Sequence, residues 1–373
     1  MPTDQNQPDV QTAASTRKQA LYRTIYEEQR KKVLTGEYAD GERMPYEREL
    51  CDQYQVDRIT VRRALEMLVA DGLLEKRAGL GSFVRSPQAA APVRAPSRNI
   101  LFVMAKNTND INSNPSAYNS ELFYAIEQEC RQKNYSLFYA VLDQNGDLNS
   151  LLNGNSFACL LFVSYIPPAI LDSCAEMGLP AICLNNRHPR LISIVPEDER
   201  GAYEAVQYLQ SEGHQRIGVM LGRAEYYSTR ERYRGYCAAM RDAGLAMDQQ
   251  LVLQGDWTFE GARAVLLERL DQSEPAQLPT ALFCLNDMMA IGAIDALRER
   301  GLRVPEDMSV MGFDNVRQST YIAPRLSTVA IDVRLMARLA VEKIADAGSA
   351  SAAGYLIMIP AVLAARQTVR KID

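Results

Sequence analysis

Histidine is nearly missing from this chain: His188 and His214 are the only two among 373 residues. General-base catalysis and metal ligation both lean on imidazole, so the shortage argues against an enzyme and against a metal centre. Cysteine is present but unorganised. Its seven copies, at 51, 130, 159, 174, 183, 237 and 284, are scattered, odd in number and never spaced as Cys-x-x-Cys. That argues against a disulfide framework and against a zinc site, and runs such as Ala181-Ile-Cys-Leu184 suit buried free thiols. No apolar stretch approaches the length of a membrane span, and the polar segment Met1–Ala14 lacks the apolar core of a secretion signal. A cytoplasmic protein with no membrane partner is expected. Gly-x-Gly-x-x-Gly, Gly-x-x-x-x-Gly-Lys and Gly-x-Ser-x-Gly are all absent, which leaves no dinucleotide loop, no phosphate cradle and no nucleophile elbow. No catalytic residue, no metal and no cofactor are therefore expected.

What is there is the composition of an ordinary globular protein long enough for two or three domains, with 23% charged and 47% hydrophobic residues. The net charge of −5 is uneven. Residues 1–98 hold 16 basic and 14 acidic side chains, and the rest holds 25 and 32. Only the N-terminal third is basic, and too mildly to prove nucleic-acid binding by itself. Residues 1–16 read as a disordered tail, 17–85 as a compact unit and 86–98, with three prolines among small residues, as a linker. From 99 to 373, short β-branched runs alternate with amphipathic helical patterns. This predicts an α/β fold with parallel sheets.

The compact unit reads as three helices and two short strands. Leu21, Ile25 and Val33 set the period of the first helix, which Gly36 ends. A second helix opens at Pro45-Tyr-Glu-Arg-Glu-Leu50. The third, Arg58–Asp71, buries Val61, Leu65, Leu68 and Val69 and stops at Gly72. Strands Leu73–Arg77 and Ser82–Arg85 flank Gly79-Leu80-Gly81. Arg58, Thr60, Arg62 and Arg63 crowd the first turns of the third helix, where base edges and phosphates would be met. A solvated basic face on an unrelated small domain would look the same.

Three segments decide between the two: Gly41-Glu-Arg-Met-Pro-Tyr-Glu-Arg-Glu-Leu50, Val56-Asp-Arg-Ile-Thr-Val-Arg62 and Gly79-Leu-Gly-Ser-Phe-Val84. In order and spacing they resemble the GntR-family winged helix-turn-helix. The resemblance implies that Arg48, Arg58, Thr60 and Arg62 touch DNA, that the turn at Gly79 and Gly81 lies near the minor groove, and that a homodimer binds double-stranded operator DNA. Three positions depart from the family. Tyr46 stands where a serine caps the second helix. Asp57 stands where serine is common, with helix capping as its expected role. Leu80 replaces a basic residue at the wing tip, with Arg77 and Arg85 as possible substitutes.

In the larger unit, polar residues gather where strands end: Asn185, Asn286 and Asp314, with Arg232 early in a helix and Trp257 after Gly255-Asp256. Open α/β sheets bind ligands at strand C-termini. A sugar needs bidentate polar partners and an aromatic face. Each residue also has a plain structural reading. Asn286 could cap a helix, Asp314 could sit in a turn, Arg232 could be a solvated charge and Trp257 could be core. Gly213-His-Gln-Arg-Ile-Gly-Val219, Arg232-Tyr-Arg-Gly-Tyr236, Asn286-Asp-Met-Met-Ala-Ile-Gly292, Val304–Asp314 and Pro324-Arg-Leu-Ser-Thr-Val329 resemble the LacI/GalR effector domain, built like periplasmic sugar-binding proteins. The resemblance implies a pocket lined by Tyr118, Asn119, Asn185, Ser228, Arg232, Trp257, Asn286 and Asp314. It also implies two lobes, about 99–196 with 331–360 and about 197–330 with 361–373, hinged near Pro196, Ala330 and Pro360. Asn185 stands where an acid is frequent, and Glu197 where aspartate is usual.

The two resemblances together are similar to the arabinose-responsive, AraR-type regulators of the GntR family. They imply a sequence-specific transcriptional regulator, a repressor of carbohydrate-use genes released by a small sugar. A nucleobase or other metabolite as effector, and activation in place of repression, stay open. An α/β enzyme of sugar metabolism with a basic accessory domain is the competing class, and it lacks a base and a phosphate loop.

Overall fold

The computed structural model describes residues 10–77, 81–85, 97–106, 116–142, 146–152, 155–347 and 354–372. Contacts divide the chain into two units, one ending at Pro96 and one beginning at Ser97. Residues 1–9 of the expected tail, Gly79 and Leu80 of the wing tip, and 86–96 of the expected linker lie outside the described residues.

The smaller unit has helices α1 (Val10–Leu34), α2 (Glu47–Tyr54) and α3 (Arg58–Ala70), then antiparallel strands β1 (Leu74–Arg77) and β2 (Gly81–Val84). Helix α1 begins inside the stretch read as a disordered tail. From Val10 to Thr35 there is no glycine or proline, and alanines 13, 14 and 20 favour helix, so nothing interrupts the pattern. Gly36 and Gly72, both at positive φ, stop α1 and α3. Tyr22, Ile25, Val33, Leu50, Val61, Leu65 and Leu68 form the core. Leu21, expected inside, is 39% exposed, and the inward position between Ile25 and Val33 goes to Gln29. That buried amide is satisfied: it donates to the Tyr54 hydroxyl at 2.7 Å and accepts from Tyr38 at 3.2 Å.

The larger unit holds two parallel sheets. Six strands run in the order β4-β3-β5-β6-β7-β13: β4 (Ser136–Leu142), β3 (Asn99–Ala105), β5 (Cys159–Val163), β6 (Ala181–Leu184), β7 (Ile192–Pro196) and β13 (Leu356–Ile359). Four run β9-β8-β10-β11: β9 (Val252–Gln254), β8 (Ile217–Leu221), β10 (Ala281–Cys284) and β11 (Ser309–Met311). Strands β5, β6, β8 and β10 are buried along their whole length, which is why they read as unbroken apolar runs. The sequence alternation therefore gives the parallel α/β architecture it predicts. Cysteines 130, 159, 174, 183 and 284 are buried free thiols.

Helices α4 (Ala117–Gln132) and α11 (Val333–Glu342) pack together beside the first sheet. Beside the second, α7 (Asp198–Ser211) packs on α8 (Tyr227–Asp242), and α9 (Phe259–Gln272) on α10 (Asp287–Glu299). The chain passes between the sheets where β7 gives way to α7, where β12 (Thr328–Ile331) gives way to α11, and at Pro360. Ile359 ends β13 in the first sheet, and Ala361 begins β14 (Ala361–Ala364), paired with β12. Among the described residues no helix is long and apolar enough to cross a membrane.

Helices α7 and α8 approach so closely because Gly235 has no side chain. A Cβ there would lie 2.1 Å from the Glu199 carbonyl oxygen and 2.9 Å from the Ala202 Cβ. Gly235→Ala is expected to lower stability by about 1–3 kcal/mol through overpacking, seen as a lower melting temperature of the larger unit. An unchanged melt would mean that the helices can part without cost.

Candidate ligand cleft and nucleic-acid interface

The ends of strands mark the cleft through backbone strain. Non-glycine residues at positive φ are uncommon, and they collect where function over-determines the backbone. Here Ser164 and Asn185 follow β5 and β6 in the first sheet. Asp256 and Trp257 follow β9, and Asp314 and Asn315 follow β11, in the second. Three of these six, Asn185, Trp257 and Asp314, are positions singled out from the sequence.

Arg232 lies at the centre. It sits in the second turn of α8 and is buried, as are its partners Asp198 and Asp314. Its Nε donates to Asp198 at 2.7 Å, and its Nη1 donates to Asp314 at 2.9 Å and also to the Leu285 carbonyl. The guanidinium carbon lies 3.8 Å from the centre of the Phe313 ring and 5.6 Å from that of Trp257. One buried cation thus faces two buried carboxylates. Burial raises the pKa of both acids and Arg232 opposes it; Asp314 is pushed up to about 6. Beneath them Asp287 is fully buried and held well above the carboxylate range, first by burial and then by the charge of Asp314. It accepts from the Val316 N–H at 2.8 Å and from the Thr328 hydroxyl.

Trp257 is placed from two sides. Its ring lies over Gly222, where a Cβ would fall 2.1 Å from the indole. Asp256, one residue earlier, is clamped by Arg223, with Nη2 3.1 Å from the carboxylate. The Tyr226 ring is 5.9 Å from Trp257, and Tyr165, next to Ser164 in the first lobe, is 5.7 Å from Tyr226. This aromatic row runs from one lobe to the other. A second link joins them where Arg317 N–H donates to Glu121 of α4 at 3.1 Å.

The first-lobe residues gather in two pairs. Tyr118 donates to Asn185 Oδ1 at 3.1 Å, and Ser164 donates to Asn119 Oδ1 at 3.4 Å. Burial raises the Tyr118 pKa, and the charge of Asp314 adds to the effect. Ser228 is buried one turn before Arg232. Asn286 does what its plain reading said: it caps α10, accepting from Met289 N–H at 2.8 Å, and it donates to the Trp257 carbonyl at 3.2 Å. One amide hydrogen is left for a ligand. Of the seven buried side-chain polar atoms that have no partner among the described residues, four belong to cleft residues or their chain neighbours: Asn185 Nδ2, Asp198 Oδ2, Thr229 Oγ1 and Trp257 Nε1. An unsatisfied buried group is costly, and a ligand can supply what is missing.

Sequence reasoning missed Asp198, Phe313, Tyr165 and Tyr226. It noted Glu197 only as a departure from the aspartate usual at that position. Glu197 is partly exposed and pairs with Arg200 at 3.4 Å, while its neighbour turns inward. The signal available was Phe313 beside Asp314; the two tyrosines carried none.

In the smaller unit, Arg48, Arg58 and Arg62 are exposed, on α2 and on the first turns of α3. Arg62 is held by Glu47, with two N–H···O contacts of 3.3 Å. Arg63 stacks on the Tyr22 ring, 4.4 Å from its centre. Thr60 does not join them. It is buried and donates its hydroxyl to Asp57 at 2.7 Å, while Asp57 also accepts from the Thr60 N–H at 2.8 Å, the capping role expected of it. Tyr46 makes no side-chain cap, yet Glu49 still accepts from the Tyr46 N–H at 2.6 Å, so half of the capping box survives. Gly81 sits at φ 113° at the start of β2. Arg77 and Arg85, the possible substitutes for a basic wing tip, both pair with Glu75, at 3.7 and 3.3 Å.

Residues 21–84 match the gntR family of bacterial regulatory proteins, and residues 206–369 match periplasmic binding protein-like domains. The chain is 33% identical over 229 residues to the HTH-type transcriptional repressor PurR of Pasteurella multocida, covering 59% of this chain and 67% of that one. A LacI family transcriptional regulator from Enterococcus faecium, solved with bound ribose, superposes with a TM-score of 0.64 at 22% identity, over 74% of this chain and 100% of that one. A lac repressor dimer bound to operator and an anti-inducer gives 0.64 at 24% identity, over 74% and 96%. At those identities the two solved structures speak for the fold.

Arg232→Met is expected to cost about 3–5 kcal/mol by leaving two buried carboxylates without their cation. The loss should shrink as pH falls towards 5, where the orphaned acids take up protons. Thermal melting of wild type and variant at pH 5 and pH 8 checks this; equal stability at pH 8 would show that Arg232 is dispensable to the cleft.

Proposed function

This chain belongs to the DNA-binding transcriptional regulators of the GntR and LacI type, and we propose that its cleft takes an uncharged sugar whose binding releases a homodimer from operator DNA in the cytoplasm. The observation that carries the sugar reading is the set around Arg232. Buried carboxylates paired to a guanidinium offer fixed acceptors and donors of the kind that hydroxyls pair with, and Trp257 supplies a face for the C–H surface of a ring. The unpartnered Asn185 Nδ2 and Trp257 Nε1 add donors. The ribose bound to the Enterococcus faecium regulator supports this reading. A nucleobase is the second reading. The relatedness to repressors called PurR favours it, as does the aromatic row of Tyr165, Tyr226 and Trp257, which suits a flat ring.

In this reading the smaller unit, about 17–85, reads DNA through Arg48, Arg58 and Arg62. The two lobes, about 99–196 with 331–360 and about 197–330 with 361–373, shift about the crossings near Pro196, Ala330 and Pro360. The ligand acts because the two lobe arrangements bind it with different affinity.

Thermal melting against pentoses, hexoses, sugar phosphates and nucleobases is the test. One uncharged sugar should raise the melting temperature with concentration, and Asp314→Asn should remove that shift while DNA binding persists. A shift with a nucleobase alone would replace the sugar reading by the second.

The affinity should also depend on pH. Asp314 titrates near 6, and its proton would remove an acceptor and loosen Arg232. Binding is therefore expected to be constant above about pH 7 and about tenfold weaker at pH 5, since only about a tenth of the group stays ionised there. Titration calorimetry at the two pH values measures it; a flat profile would take Asp314 out of ligand contact.

A further inference from the structure

Helix α3 exposes an apolar side chain where the fold gains nothing from it. Ile59, the second residue of the helix, is 79% exposed, the most exposed large apolar side chain among the described residues. It is absent from the core of the smaller unit, which α3 builds from Val61, Ala64, Leu65 and Leu68 on the opposite face. A β-branched residue is also a mediocre helix former, so neither packing nor propensity accounts for it.

Its neighbours give it a setting. Residues three and four apart share a helix face, so Ile59 lies beside Arg62 and Arg63. Glu47 holds Arg62 and the Tyr22 ring holds Arg63, and Arg58 precedes Ile59 on the exposed first turn. The turn is stiffened by the Asp57 cap. A rigid helix start with positioned guanidinium groups and one bare aliphatic group is the shape that enters a major groove N-terminus first. Arginine finds guanine acceptors there. An aliphatic group finds a single apolar feature on the base edges, the C5-methyl of thymine.

We propose that Ile59 is a specificity-determining residue that packs against the C5-methyl of one thymine in each operator half-site, next to the base or phosphate engaged by Arg62. Ile59 then adds sequence discrimination without adding charge. Its contribution is independent of salt, whereas that of Arg62 falls as salt rises.

The test starts from duplexes selected out of a randomised pool by the full-length protein. In the selected duplex each half-site thymine is replaced in turn by deoxyuridine, which removes only the methyl. Wild type is expected to lose about fourfold in affinity at one thymine per half-site, the worth of one buried methyl. Ile59→Ala and Ile59→Gln should bind more weakly and no longer distinguish thymine from deoxyuridine at that position, with an unchanged salt slope. Arg62→Ala, run alongside, should weaken binding and lower the salt slope, which independently places α3 on the DNA. If wild type binds every deoxyuridine duplex as well as its parent, or if the Ile59 variants keep the full thymine preference, the proposal is overturned while the role of Arg62 stands.

Discussion

A single buried guanidinium organises the larger unit. Arg232 comes from α8, Asp198 from the first turn of α7, Asp314 from the end of β11, and the Leu285 carbonyl from the end of β10. Four elements of one lobe therefore meet at one cation. A buried ion pair is a poor source of net stability, because desolvation offsets most of its attraction. Its value is geometric. A planar fork with fixed donors lets each carboxylate sit in one orientation only, and the Phe313 ring beneath prevents the fork from tilting. The strained backbone at Asp314 and Trp257 is tolerable because this arrangement and the Gly222 seat leave no alternative.

The cleft is also short of positive charge. Asp198, Asp287 and Asp314 are all buried near it, and burial raises the pKa of each. Arg232 is already paired to two of these carboxylates through Nε and Nη1, so its charge is largely balanced within the protein. The uncharged ligand proposed for the site agrees with this balance, and so does the pH dependence proposed for its binding.

Much of this was legible in the sequence. The three helices and two strands of the smaller unit, the strands β3, β5, β6, β8, β10 and β11, and the helices α7 to α10 all carry clean periodic or apolar signals. The strands β7, β12, β13 and β14 do not. Ser193 and Pro196 interrupt β7, Thr328 opens β12, and β13 and β14 adjoin across Pro360 and are only partly buried, so none stands out as a separate apolar run. Helix α6 (Pro168–Glu176) starts behind Pro167 with no side-chain cap, so the polar signal of a helix start is missing there. In the site, Arg232 and Asp314 could be named, but Asp198 could not: inside Glu197-Asp-Glu-Arg200 it reads as one of several solvated charges, and its partner is 34 residues away. Thr60, which the resemblance places among the DNA contacts, is buried against its own unit. It stands four residues before Ala64 and eight before Leu68, on the stripe that faces the core.

The seat of Trp257 has a consequence for anyone wishing to retarget this sensor as a reporter for a different compound. The indole rests on a glycine that tolerates no side chain, and Arg232 is caged by acids and a ring, so these two form a fixed floor. Asn185, Tyr118, Tyr165 and Tyr226 stand around it on loops and helix starts, with Tyr118 hydrogen-bonded to Asn185 and the Tyr165 and Tyr226 rings in contact. A library directed at those four would vary the walls of the chamber while keeping its foundation. One that included Gly222 or Arg232 would lose most of its members to misfolding before any new recognition could be scored.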